Sequence, residues 1–440
     1  MTDKGNLEND AGSARSTLKE HWQNIQQKKF GKILSIMAVT ALALILIIAV
    51  FGRRTFTDSY QVWNYLQLAR RVGRTQEGPV PLAVRVNIDS QWRYIVNTIN
   101  GVGVPVYLNL SRSNMTNTEF NPGNTRSTLI ISLVLPNSVT KIRSGFGIFP
   151  NISTIRFPAS AEIDEVNPFI GMSRVTFNPR GRGDLGAIEN GRVLVRGGNE
   201  LISFPSARGN VTLDNITIIA HSGFNSTLIE GINLPAVTTV GMLAFGNCEN
   251  LTTVNLPVAT TIGNRAFYGN TSLQTVNLPV ANTIGEMAFS GNTNLQTIEL
   301  PAAAIIGAYA FQGNTSLQTL YIPTIVSIGN RAAANTGNTA LTVTVGEQLE
   351  TVGTWMFYGV TAAKNVIIRA PQGEVAGITA MTNAFRGRGW NEGSFTLAAG
   401  VNRNTGRTNW EWRGGQWVQV PIMQWVNNFN THVNLTVQGL

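Results

Sequence analysis

The sequence predicts a solenoid in which short parallel strands stack and loops or turns return the chain from each strand to the next. The first observation is a fixed period of 22 residues in the Leu-Pro or Ile-Pro pairs Leu234-Pro235, Leu256-Pro257, Leu278-Pro279, Leu300-Pro301 and Ile322-Pro323. The second is that two further columns keep this period. They are Phe245, Phe267, Phe289 and Phe311, and Gly241, Gly263, Gly285, Gly307 and Gly329. A regular period of this length is the mark of a repeat architecture.

One repeat explains why the units must stack. In the segment 251–257 apolar and polar residues alternate, which predicts a half-buried strand that Pro257 ends by removing a backbone donor. Ile262 and Phe267 are expected to face the core, and Gly263 is expected where the chain turns too tightly for a side chain. Such a unit cannot bury its apolar side alone, as in leucine-rich repeat solenoids.

A polar column accompanies the phenylalanines. Asn270, Asn292 and Asn314 each follow a phenylalanine by three positions, and Cys248 takes this place in the first copy. A buried amide here is expected to bond the backbone of the turns, which has no ladder partner. Cys248 is expected to be a small buried residue rather than a reactive thiol.

The motif Ile-Gly-x-x-Ala-Phe-x-x-Asn-x-x-Leu-x-x-(Val/Ile)-x-Leu-Pro at 262–279 and 284–301 resembles the BspA-type leucine-rich repeat of cell-envelope proteins from host-associated bacteria. Residues 132–142 are similar to an opening repeat, and 190–194 with 201–205 to a variant repeat. The resemblance covers about 129–360. It implies an exported protein that adheres to host proteins or to other cells.

The chain order predicts six regions. They are a flexible cytoplasmic tail (1–32), a transmembrane helix (33–51), a juxtamembrane helix and linker (52–81), a β-rich N-terminal cap (82–128), the leucine-rich repeats (129–363, with regular 22-residue units at 232–330) and a Trp-rich β C-terminal cap (364–440). The uncharged segment 33–51 would span about 28 Å as a helix, close to the hydrocarbon thickness.

The resemblance to exported proteins implies that residues 52–440 lie outside the cytoplasm, in the periplasm or at the cell surface. In the C-terminal cap, a hairpin is expected around Gly414-Gly415, with Trp412 opposite Trp417.

Composition limits the function classes. The net charge is +9, but between Ile232 and Val345 the charged residues are few, namely Glu249, Arg265, Glu286, Glu299 and Arg331. Because the repeats lack rows of Lys or Arg with interleaved aromatics, nucleic acid is not an expected partner. The three histidines have no metal-site spacing, and no nucleotide-binding or nucleophile motif is present, so neither a cofactor nor an enzyme is expected.

The repeated strands predict the binding surface for an unknown protein partner, on a host or neighbouring cell. Its residues are Thr253, Asn255, Thr275, Asn277, Thr297, Glu299, Thr319 and Tyr321. The triplet Arg182-Gly183-Asp184 is a second candidate, as a flexible adhesion loop. Two other functions stay open: a carbohydrate or cell-wall binder that uses the C-terminal tryptophans, and an envelope scaffold protein.

Overall fold

The computed structural model describes residues 55–71 and 78–336, and then the stretches 342–345, 351–353, 356, 365–368, 396–398, 408–413 and 416–421. The chain divides after Thr57 into two units, and all the described helices and strands lie in the second. No helix within these stretches has the length and apolar character needed to cross a membrane. The predicted transmembrane segment, 33–51, lies outside them.

The first part of the second unit contains two helices. It comprises α1 (Ser59–Arg71), β1 (Val80–Ala83), α2 (Ile88–Val102), β2 (Val106–Asn109) and β3 (Glu119–Phe120). Helix α1 lies within 52–81, the region where a helix and a linker are expected. Strand β1 begins before the end of this region, and residues 72–77 lie outside the described part.

The prediction of a β-rich cap at 82–128 was wrong for its longest element, α2. This helix buries Trp92, Ile95, Val96 and Ile99, whose spacing of three and four residues places them on one face. It ends at Gly103, which has a left-handed φ of 77° and donates its N–H to the Ile99 carbonyl at 3.0 Å. The expectation of β structure came from the alternating residues after 102, which form only the short strand β2.

The remaining strands are short. Up to residue 219 they are β4 (Ile130–Val134), β5 (Lys141–Ile142), β6 (Thr154–Pro158), β7 (Glu162–Ile163), β8 (Thr176–Arg180), β9 (Leu185–Ile188), β10 (Val193–Arg196), β11 (Glu200–Ser203), β12 (Arg208–Thr212) and β13 (Ile218–Ile219). Through the regular repeats they are β14 (Leu228–Asn233), β15 (Thr239–Val240), β16 (Thr253–Asn255), β17 (Thr261–Ile262), β18 (Thr275–Asn277), β19 (Thr283–Ile284), β20 (Thr297–Glu299), β21 (Ile305–Ile306), β22 (Thr319–Ile322) and β23 (Ser327–Ile328). The last are β24 (Thr342–Val345), β25 (Thr351–Val352), β26 (Asn365–Ile368), β27 (Thr396–Ala398), β28 (Thr408–Arg413) and β29 (Gln416–Pro421).

The strands form parallel ladders, as the repeat predicts. One ladder has the order β12-β14-β16-β18, and β20-β22-β24-β26 is built from the equivalent strands of later repeats. The second ladder runs from β13 through β25 along the alternate strands. Earlier repeats form β1-β2-β4-β6-β8 and β3-β5-β7. Thr253 pairs with Thr275 and Val254 with Val276, so one repeat period separates residues in register.

The phenylalanine column is the centre of the core. Phe224, Phe245, Phe267, Phe289 and Phe311 are all fully buried, and adjacent ring centroids lie 4.9, 5.2, 5.1 and 5.9 Å apart. Neighbouring rings are within 17° of parallel. Ala333 takes the next place in the column and is also fully buried. The period therefore stacks identical side chains.

The glycine column has a different cause from the one expected. The backbone of Gly263 does not have a left-handed φ, whereas Arg265, two residues later, has a φ of 55°. A Cβ on Gly263 would stand only 2.8 Å from the Val240 carbonyl oxygen and from the carbonyl carbon of Gly241 in the preceding coil. Glycine is needed because neighbouring coils approach closely here.

The asparagine column has the predicted role. The side-chain oxygen of Asn270 accepts the N–H of Cys248 at 2.7 Å, and Asn292 and Asn314 accept the N–H of the preceding column member at 2.8 Å each. All three side chains are fully buried. Each amide thus satisfies a backbone donor of the neighbouring coil.

The irregular repeats contain an antiparallel element that the prediction of parallel strands missed. Strand β10 pairs antiparallel with both β9 and β11. Its two turns include left-handed residues at Asn190, Gly191, Gly197 and Gly198. Strand β11 then pairs parallel with β13 and so joins this element to the second ladder.

The C-terminal hairpin is confirmed in its backbone. Strands β28 and β29 are antiparallel, and Trp412 stands in register with Trp417. Strand β27 pairs with β28 to complete a three-stranded sheet. The side chains of these strands lie outside the described part.

Candidate functional site

The residues predicted as a binding surface lie along the first ladder, and we call them the ladder face: Thr253, Asn255, Thr275, Asn277, Thr297, Glu299, Thr319 and Tyr321. Alternate strand residues point to opposite faces, so Val254 and Ile298 enter the core while their neighbours meet solvent. Of the eight, Asn255 and Thr319 are half-buried and the other six are exposed.

Hydrogen bonds fix part of the ladder face. The Asn255 side-chain N–H donates to the Asn233 side-chain oxygen at 2.7 Å, and Asn277 donates to Asn255 at 2.6 Å. Further along, Thr297 is in register with Thr319, and Glu299 with Tyr321. The register holds each group about one strand spacing, roughly 4.8 Å, from its equivalent in the next coil.

A neighbouring row of exposed residues was not included in the prediction. Gln274, Gln296 and Gln318 are exposed immediately before their strands, and the equivalent Glu230 is exposed within β14. These residues follow the same 22-residue period. Thr252 holds the second position of the row and is half-buried, whereas the other four are exposed. That period was the available signal, but the residues precede the alternating pattern used to define the strands.

The Arg-Gly-Asp triplet is exposed, but it is not a free loop. A Cβ on Gly183 would collide with the backbone of Ala159 and Ser160. The Leu185 N–H donates to the Ala159 carbonyl at 3.1 Å, and the Asp184 carbonyl accepts the Gly197 N–H at 3.0 Å. The triplet is therefore held against a neighbouring coil, in contrast to the expected flexible loop.

The two charged side chains of the triplet line different cavities. Arg182 lines a cavity of about 370 Å³ with Arg156 and Arg180. Asp184 lines a second cavity of about 670 Å³, together with Glu165, Glu200 and His221. The sequence correctly predicts that the triplet is at the surface. It does not indicate that the Arg182 and Asp184 side chains line two different cavities.

Ion pairs occupy the outer face of the β3-β5-β7 sheet. Lys141 pairs with Glu162 at 2.6 Å, and Arg143 pairs with Glu119 and Asp164. The hydrogen bond to Glu162 raises the pKa of Lys141, and the hydrogen bond to Glu119 raises the pKa of Arg143. Each of these pairs joins residues of adjacent coils.

Cys248 is fully buried, as expected from its place in the asparagine column. Its thiol donates to the Phe224 carbonyl oxygen at 3.1 Å and lies 3.4 Å from the Thr227 hydroxyl. Burial raises the pKa of the Cys248 thiol, so the neutral form is favoured. In the stretches that the structure describes, His, Cys, Asp and Glu side chains form no group of three able to hold a metal ion.

Taken together, a regular repeat, two parallel ladders and a stacked core define a leucine-rich repeat solenoid. The family model of the BspA type Leucine rich repeat region matches six copies over residues 217–339 and 282–380. Residues 217–380 therefore belong to the BspA-type leucine-rich repeats. The match begins later than the expected start near 129.

Bacterial leucine-rich repeat proteins are among the solved structures that match the chain. The protein from Eubacterium ventriosum is 17% identical, with 65% of this chain and 90% of that chain covered and a TM-score of 0.46. The Treponema (T. pallidum) protein is 19% identical, with 46% and 94% covered and a TM-score of 0.34. A leucine rich cell surface protein from Faecalibacterium prausnitzii is 20% identical, with 63% and 60% covered and a TM-score of 0.34. No curated protein matches the chain.

Proposed function

We propose that the protein binds a protein on a host or neighbouring cell through the ladder face and catalyses no reaction. The observation that carries this proposal is the in-register row of solvent-facing Thr, Asn, Glu and Tyr side chains over successive coils. Such a row offers hydrogen-bonding groups at fixed intervals on a rigid scaffold, which suits an extended macromolecular surface.

A cell-attachment experiment tests the ladder face. Beads coated with the full chain are applied to human epithelial monolayers, and the variant Thr275→Lys/Asn277→Lys is compared with the wild type. The two lysines place positive charge and bulk in the middle of the face, so attachment is expected to fall at least about tenfold if this is the contact, because an interface centre carries most of the binding energy. Equal attachment of the two proteins would contradict the proposal.

The matched control is Thr261→Lys/Thr283→Lys on the second ladder. Thr261 is exposed and Thr283 half-buried, and the two are in register on β17 and β19. This variant carries the same added charge and is expected to attach like the wild type. Asp184→Glu is a further comparison, because an adhesive Arg-Gly-Asp triplet would lose its carboxylate geometry while the ladder face stayed unchanged.

A specific observation favours carbohydrate as the second candidate ligand. The backbone register of β28 and β29 places Trp412 opposite Trp417, and tryptophan side chains in general can stack on sugar faces. Trypsin treatment of the monolayers separates the candidates. Attachment should disappear if the partner is a protein, and it should persist if the partner is a glycan carried on a lipid.

The proposed location is extracytoplasmic, with residues 33–51 as an uncleaved membrane anchor and the N-terminus in the cytoplasm. Support comes from the uncharged 19-residue segment 33–51. A reporter active only in the cytoplasm, fused after Leu440, should be silent. Protease added to intact cells should digest the repeats if they reach the outer surface, whereas full protection would favour an envelope scaffold instead.

A further inference from the structure

Three arginines, none of which forms an ion pair with a described residue, converge outside the ladder face. Arg156 lies on β6 and Arg180 at the end of β8, and Arg182 follows two residues later. In the sheet register Arg156 is opposite Asn178 and Pro158 is opposite Arg180. Because alternate strand residues share a face, Arg156 and Arg180 lie on the same side of adjacent strands.

These arginines line one cavity of about 370 Å³, which we call the basic cavity. Its other polar lining residues include Asn109, Asn137 and Ser160, and no carboxylate is among the lining residues. The ion pairs found in the described part of the chain use Lys141, Arg143, Arg192 and Arg196 instead. The positive charge of the basic cavity is therefore not neutralised by the residues that form it.

Arg156 is the most constrained of the three. Its Nε is buried and has no hydrogen-bond acceptor among the described residues. Burial, and then the positive charge of Arg180, lower the pKa of the Arg156 guanidinium. A negatively charged group in the cavity would relieve the repulsion between the two arginines.

We propose that the basic cavity is a binding site for an oxyanion, namely a phosphate or sulfate group, either free or as a monoester on a sugar. A guanidinium presents a planar fork of donors that matches the oxygens of such groups and forms charge-assisted hydrogen bonds with them. The amides of Asn109 and Asn137 and the Ser160 hydroxyl add neutral donors and acceptors that suit sugar hydroxyls. This site is independent of the ladder face and of the proposed adhesion.

Isothermal titration calorimetry on the full chain in detergent tests the site. The probes are inorganic phosphate, inorganic sulfate, glucose 6-phosphate and glucose 6-sulfate, with glucose as the uncharged comparison and sodium chloride used to match ionic strength. Saturable binding of phosphate or sulfate is expected, with no binding of glucose. Tighter binding of the sugar esters supports a monoester ligand, whereas binding of the inorganic ions alone supports a free ion.

Two variants locate the binding. Arg180→Gln removes an exposed charge from the cavity and is expected to weaken binding at least about tenfold, because a charge-assisted hydrogen bond is lost. Arg156→Lys keeps the positive charge but removes the planar set of guanidinium N–H donors, so it should also weaken binding. Arg208→Gln removes an exposed arginine of β12 that does not line the cavity, and it should bind like the wild type.

Unchanged circular dichroism shows that each variant is folded. The proposal is overturned if the wild type binds none of the charged probes. It is also overturned if Arg208→Gln weakens binding as much as Arg180→Gln does, because the effect would then come from net charge alone.

Discussion

Cys248 stands at the first position of the buried asparagine column, where its backbone N–H donates to the Asn270 side-chain oxygen and its thiol donates to the Phe224 carbonyl oxygen. It is the chain's single cysteine and is fully buried, so its reactivity reports on the opening of the solenoid. We expect a thiol reagent to leave the native protein unlabelled and to label it fully in denaturant. Rapid labelling under native conditions would show that these coils open readily.

The raised pKa of Cys248 also gives a sign for pH dependence. Its folded-state pKa lies above the unfolded value, so the unfolded chain releases the proton first as pH rises. Any contribution to stability is therefore complete below the ordinary thiol pKa of about 8.5 and is lost in alkali. Thermal melting of Cys248→Ala should show less alkaline destabilisation than melting of the wild type.

Phe289 is a test of the stacked core. Its ring lies 5.1 Å from that of Phe267 and 5.9 Å from that of Phe311, and it is fully buried. Phe289→Ala is expected to cost roughly 3 to 5 kcal/mol in the free energy of unfolding, because coils on both sides prevent collapse into the gap. Tyr268→Ala, at a ring 38% exposed, should cost less than about 1 kcal/mol. Equal losses in denaturant titrations would refute the core assignment.

Ala333 tests whether the end of the column is filled. It is fully buried with Ala332 and Ala334 beside it, and its N–H donates to the Met356 carbonyl at 3.0 Å. Ala333→Phe should overpack this coil and lower stability by about 1 to 3 kcal/mol. A higher melting temperature would instead show that a cavity lies beside Ala333.

At the scale of elements, close approach of the coils makes the glycine column sensitive to a single methyl group. A Cβ on Gly307 would lie 2.5 Å from the Glu286 nitrogen and 2.6 Å from the Gly285 carbonyl carbon. Both are backbone atoms, so Gly307→Ala must separate coils and weaken the 2.8 Å hydrogen bond from Gly307 to Ile284. We expect a loss of about 3 kcal/mol, the upper part of the usual range for overpacking.

Gly101 is the matched control for Gly307. It lies in α2, and a Cβ there would meet no atom within 4 Å. Gly101→Ala should raise stability by roughly 0.5 to 1 kcal/mol, because alanine is the better helix former. Thermal melting of both variants should give shifts of opposite sign. A loss at both positions would mean that close coil packing is not the cause.

These elements show what the sequence could predict. The ladders, the phenylalanine core and the asparagine column were predictable because a 22-residue period repeats each contact several times. Helix α2 and the antiparallel strand β10 occur once, so no repetition identified them. The glycine column could be recognised in the sequence, but the reason for glycine could not. The backbone atoms that a Cβ would contact belong to the preceding coil, 22 residues earlier in the chain. The same limit hid the basic cavity, whose arginines converge only through the β6–β8 register.

At the scale of the whole molecule, most charged residues lie outside the repeats that form the ladder face. The net charge is +9, yet residues 232–336 contain only two arginines and three glutamates, and Glu299 is the single charged member of the ladder face. Attachment through this face should depend on neutral hydrogen bonds and packing rather than on long-range attraction. Oxyanion binding in the basic cavity should depend on charge.

Salt is therefore expected to affect the two activities differently. Raising sodium chloride from 0.1 to 1 M shortens the Debye length from about 10 Å to about 3 Å. Bead attachment to epithelial monolayers should change by less than about twofold, because ladder-face contacts carry little charge. Phosphate affinity measured by calorimetry should fall severalfold over the same range, because added chloride screens the arginines. If attachment fell in parallel with phosphate affinity, a charged part of the molecule, and not the ladder face, would be the adhesive surface.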